Sequence, residues 1–247
     1  QSGISCLEKM TLWRSSHDAT DLELEAAVRL YNTLATEAAC SASYFEGAIE
    51  TLTWLKTCQA SNFITSAVEQ EVLDAWAQSP QGRQICSRAG AITEILGRRP
   101  KFCKGRDHFV YVSDWLTKAA YKPEAELIKT IYYVADAVSE IKQGREFSAE
   151  FSIVPIGFAH HIDSAQVLAA ASLVTASLEK LLASGVVSLA SSSLTERPSI
   201  DERQLELPSA AELEASLRQA GATHVVRNFD ELRSSLVQLS QSSILFR

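Results

Sequence analysis

The chain has 247 residues, 46% of them hydrophobic and 21% charged, with ten glycines, six prolines and a formal charge of −7. That balance supports a sizeable folded core and excludes a disordered chain, a collagen and a disulfide miniprotein. With 23 basic against 30 acidic residues, a nucleic-acid-binding surface is not indicated.

Cys6, Cys40, Cys58, Cys86 and Cys103 are widely spaced and include no CxxC pair, so neither a zinc knuckle nor a thioredoxin-type site is suggested. They read as small core hydrophobes in a soluble protein of a reducing compartment. The Ala/Leu stretch from Ala165 to Leu189 is broken by Ser, Thr, Glu and Lys, short of the about 18 apolar residues of a membrane span. The first residue is Gln1 rather than methionine, which implies processing or trimming. The expected location is the cytoplasm, or an organellar matrix or stroma after removal of a targeting segment.

Leu22, Ala26, Leu30 and Leu34 recur at helical spacing and predict a helix over about 18–39, with Ser16 or Asp18 as its cap. A second helix follows Gly47. The run 62–65 reads as a buried strand, and 68–77 as a helix ending near Ser79-Pro80-Gln81-Gly82. Arg98, Arg99, Lys101, Lys104 and Arg106 then fall within nine residues, either a solvated loop or an anion-binding lip. Val110-Tyr111-Val112, Ile131-Tyr132-Tyr133-Val134 and the run 152–156 are rich in β-branched and aromatic residues and read as strands. Pro155, which has no amide proton, is expected at a strand end or sheet edge. Helices are predicted over about 164–184 and 209–219, an exposed insertion loop over about 190–208, a short strand at 223–226 and a last helix from Asp230.

Strands thus alternate with helices from Gly47 onward, which favours a parallel sheet covered on both faces. An all-helical array is the rival, suggested by the Ala/Leu content.

Several segments carry a resemblance. Phe45 to Lys56 followed by Phe63-Ile64-Thr65-Ser66-Ala67, then Tyr133-Val134-Ala135-Asp136 through Glu140-Ile141 with Gly144-Arg145, then 217–232 around Ala220-Gly221-Ala222, resemble the haloacid dehalogenase (HAD) superfamily in order and spacing. The resemblance implies a single α/β domain over 1–247, with a three-layer Rossmann-like parallel sheet and helices on both faces. Only a short helical segment, about 14–43, occupies the place of a cap.

An acid at a strand's carboxyl end and a second acid one helical turn on can hold Mg²⁺ through oxygen ligands. Asp136 and Glu140 have that spacing and are the candidate metal ligands. Thr65 is the hydroxyl that would meet a phosphoryl oxygen, and a lysine would neutralise developing charge. Lys122, in Lys122-Pro123-Glu124, matches the family's lysine motif, although only 13 residues separate it from Asp136. Lys104 is the substitute. On their own residues, without the flanking pattern, an exposed i, i+4 acid pair and two surface lysines are the favoured reading.

The family's first strand carries Asp-x-Asp, a nucleophile and an acid/base. Aligned without gaps, those two places fall on Leu7 and Lys9. Leucine cannot form an acyl-phosphate, and a lysine repels Mg²⁺. Shifting by one brings Glu8 into the first place but leaves Met10 in the second. Asp18 and Asp21 have no preceding strand. The resemblance therefore implies a catalytically degenerate member, without cofactor, serving as a structural or binding subunit with a protein partner or a second copy. A divergent phosphatase using Mg²⁺ on a small phosphorylated substrate is the alternative, and an unrelated helical interaction module the third reading. His160-His161 lacks a third ligand nearby and reads as solvent-facing or core-edge. No Gly-rich phosphate loop, Walker pattern or Rossmann fingerprint is present.

Overall fold

A computed structural model describes residues 20–86, 91–102, 104–119, 130–160 and 208–244, with Thr11 and Ser15. Within them the protein is mixed α/β, with short parallel strands in two small sheets. The five strands exclude an all-helical array. No helix among the described residues is long and apolar enough to cross a membrane. The expected helix over 164–184, nearly all of the 190–208 loop and residues 1–10 lie outside the described residues.

Helix α1 (Asp21–Ser41) packs on α3 (Gln70–Gln78) and α4 (Pro80–Cys86). None of its described side chains is fully buried. Helix α2 (Ala48–Thr57) starts after Gly47, whose φ of 79° is left-handed. A side chain there would also press on Phe229, because its first carbon would lie 3.1 Å from Phe229 Cβ, so glycine answers both demands. Strand β1 (Phe63–Glu69) leads directly into α3. The Ser79–Gly82 stretch does more than end α3. Gly82 N donates to Ser79 Oγ at 3.0 Å and Pro80 occupies the first turn, so the segment starts α4.

Strand β2 (Glu94–Arg98) pairs in parallel with β1, Ile64 opposite Ile95 and Thr65 opposite Leu96. Helix α5 (Arg106–Ala119) follows. This corrects the strand expected at Val110-Tyr111-Val112. Phe109 and Val112 are buried at helical separation, and Asp107 and Lys118 sit at the ends that suit their charges. Side-chain burial on one helical face outweighs the β-propensity of three residues.

The second sheet has the order β3 (Ile131–Ala135), β4 (Ile153–Phe158), β5 (His224–Val226), all parallel. Short helices α6 (Val138–Glu146) and α7 (Ser148–Phe151) join β3 to β4. Pro155 lies inside β4, the middle strand, opposite Tyr133, which corrects its expected place at an end or edge. The reason is local. Its carbonyl accepts from Thr223 N at 2.8 Å, so its nitrogen faces the flank where β5, starting at His224, has not yet begun.

Helix α8 (Ala210–Gln219) begins with a complete capping box between Ser209 and Glu212, and helix α9 (Phe229–Ile244) ends the described chain. One face of the second sheet supplies Tyr133, Ala135 and Ile153 to a cluster with Phe109, Ile141 and Leu217. The opposite face supplies Ile156, Phe158 and Val226 to a cluster with Leu232 and Leu236. Each fully buried Ile, Leu, Val or Phe side chain among these contributes roughly 1.5–3 kcal/mol.

Candidate functional site

Asp136 follows the last residue of β3 and is exposed. Ala137 is extended and caps α6, whose first turn carries Glu140. The strand end and helix start therefore place the two acids as the sequence suggests. Lys104 comes from the connection between β2 and α5. Gly105, at φ 104°, brings that connection so near α6 that an added side chain carbon would lie 3.2 Å from Gln143 Oε1.

The outcome is an ion pair between Lys104 Nζ and Glu140 Oε1. The two side chains are 14% and 15% exposed, so water screens the pair little. Glu140 thus carries an ammonium on the carboxylate that a metal would need. Asp136 and Glu140 are two carboxylates, one of them engaged, and no group of three or more His, Cys, Asp or Glu among the described residues could hold a metal ion.

Thr65, in β1, lies near enough to Tyr133 of β3 for its hydroxyl to influence the phenol. Burial pushes the Tyr133 phenol well above its ordinary range; the Glu140 charge adds to this, the Thr65 hydroxyl opposes it, and Asp136 adds a little more. Tyr133 therefore stays a neutral phenol. The sequence marks Tyr133 only as a strand residue. Its one available signal is a hydroxyl-bearing aromatic in a run that reads as buried, three residues before an acid.

Leu7, Lys9 and Lys122 lie outside the described residues, as do Cys6 and Cys103. Of the five basic residues over 98–106, Arg98 lies 4.0 Å from Glu69, Arg106 pairs with Glu150 at 2.8 Å and Lys104 holds Glu140. Most of that charge is spent inside the molecule. An anion-binding lip would have to rely on Arg99 and Lys101.

His160 is half-buried against aromatic rings, 4.1 Å from Phe45 and 6.2 Å from Phe158 between centroids, in keeping with a core-edge histidine. His108, for which the sequence shows no serine- or cysteine-hydrolase partner, is buried. Cys58 is exposed, which corrects its reading as a core hydrophobe, whereas Cys40 and Cys86 are half-buried. Burial pushes the Cys86 thiol up, which keeps it protonated. Trp54, Trp76 and Trp115 are half-buried.

No protein-family model matches the chain, and no curated protein is significantly similar to it in sequence.

Proposed function

We propose that the protein is a HAD-like scaffold that has lost its phosphoryl chemistry and serves as a binding or structural subunit. In this reading the two parallel sheets belong to one Rossmann-like sheet with helices on both faces, and the Asp21–Ser41 helix stands in place of a full cap. The carrying observation is the Lys104–Glu140 pair. It occupies the second acid of the expected metal pair. Leu7 and Lys9 at the two reactive places of the resemblance support the same conclusion, since neither can accept a phosphoryl group as a carboxylate does.

A subunit needs a contact surface. Phe45 is 50% exposed, and the long helix α1 has no fully buried side chain among those described. Both suit a surface that a protein partner or a second copy covers.

Two measurements on the purified protein test this. Millimolar MgCl₂ is expected to leave the melting temperature of the protein and of Asp136→Asn equally unchanged, because no ligand-linked stabilisation is available. Native mass measurement is expected to give a species above the 27.0 kDa of one chain. A Mg²⁺-dependent rise in melting temperature that Asp136→Asn abolishes would favour the divergent phosphatase. A lone 27.0 kDa species, both alone and after purification from its native source, would count against a subunit role.

A further inference from the structure

His108 is the third residue of α5 and is 1% exposed. The scaffold reading gives it no task. Its ring lies 5.0 Å from that of Phe102, which in turn meets Tyr111 edge-on at 6.0 Å. The Gly97 backbone interacts with the imidazole, but neither ring nitrogen finds a partner in good hydrogen-bond geometry. The charged groups that face the ring are Lys104, Asp107 and Arg99. Two of these three are cations, and the amide end of α5 adds further positive potential. A protonated imidazole would be buried among like charges with one carboxylate to answer it.

The cover over this ring is thin. Arg99, Pro100 and Lys101 are exposed, and Phe102 is half-buried. The turn is closed by two reciprocal backbone hydrogen bonds, Arg99 N to Phe102 O and Phe102 N to Arg99 O, each 3.0 Å. Lys101 at its tip has a left-handed φ of 61°, a conformation that disfavours a residue with a side chain. Arg99 lies 5.9 Å over the Phe102 ring. The Arg99–Phe102 bridge belongs to neither sheet.

We propose that the Arg99–Phe102 turn is an acid-sensitive latch: a proton on His108 opens the turn and, two residues further on, draws Lys104 away from Glu140. The inference rests on this local geometry and does not require the scaffold reading. Burial is the main reason that the His108 pKa falls from 6.5 to about 4; the Gly97 backbone opposes it, Lys104 and Arg99 lower it further and Asp107 raises it. The closed form therefore holds the neutral ring. Its advantage is complete above the ordinary histidine value and is lost as pH falls toward 4, because the open form takes up the proton first.

Hydrogen exchange of the full chain, corrected for intrinsic rates, tests the latch. The amides of Arg99, Lys101 and Phe102 and of Lys104 to Arg106 are expected to exchange about tenfold faster for each pH unit lost between about 6 and 5, while amides of β4 and α9 keep their rates. In His108→Gln the pH response of the latch amides is expected to vanish, and His108→Phe, which fills the same space, serves if the glutamine variant does not fold. A flat wild-type profile would overturn the proposal. So would an undiminished response in the folded variant, or simultaneous acceleration in β4 and α9, which would mark global loosening.

Discussion

Glu140→Ala is expected to destabilise the folded protein by about 3 kcal/mol, because it leaves the Lys104 ammonium largely buried without its anion. Lys104 is only 14% exposed, so water replaces the lost carboxylate poorly. Glu140 also stands in the first turn of α6, where a negative charge is favourable, which adds a few tenths of a kcal/mol to the loss. Replacing both partners tells a pair kept for structure from one kept for chemistry. The double variant Lys104→Met/Glu140→Leu is expected to recover most of the stability, since an apolar pair of similar volume is often as stable as a buried ion pair. Urea denaturation of the wild type, the single variant and the double variant measures each difference. A cost below about 1 kcal/mol for Glu140→Ala would place the pair with ordinary surface ion pairs, and Glu140 would be free for other ligands.

Ile156→Ala carries the other large effect, an expected loss of about 4 kcal/mol. Ile156 is completely buried in the middle strand of the second sheet, where it packs with Phe158, Val226, Leu232 and Leu236. Truncation removes apolar contact area and leaves a cavity that the neighbouring strand and helix fill only in part. Val134, opposite Ile156 in the ladder and on the same face, provides the comparison. It is 38% exposed, and Val134→Ala is expected to cost less than about 1 kcal/mol. Equal losses for the two variants would show that the core extends past β3 toward β1, contrary to the burial pattern.

What the sequence makes legible follows the range of the forces involved. The helix after Ser209 is readable because its capping box is local, Ser209 and Glu212 answering each other across one turn. The strands at 131–135 and 153–158 are readable because their residues suit a pleated, buried setting, and parallel pairing follows from their alternation with helices. Strand β2 is not readable. Glu94, Gly97 and Arg98 give it little strand character, and its extended form depends on pairing with β1. Helix α5 reads wrongly over three residues, because Val110-Tyr111-Val112 alone suits a strand and only the burial of Phe109 and Val112 on one face identifies the helix.

The candidate site divides in the same way. Residue type and spacing single out Asp136, Glu140, Thr65 and Lys104. Their partners depend on tertiary packing. Glu140 meets Lys104 because Gly105 lets the β2–α5 connection approach α6. Thr65 comes near Tyr133, a residue of the other sheet. The burial of His108 beneath Phe102 belongs to this class as well, since nothing in a run of basic residues indicates a neutral imidazole at its end.

Hydrolysis of p-nitrophenyl phosphate and acetyl phosphate with Mg²⁺, measured for the purified protein beside Asp136→Asn, tests the proposed loss of phosphoryl chemistry most directly. The expected result is the same background rate for both, with no dependence on added Mg²⁺. Turnover that requires Mg²⁺ and disappears in Asp136→Asn would contradict it, and would identify an active site that draws its nucleophile from a residue other than Leu7 or Lys9.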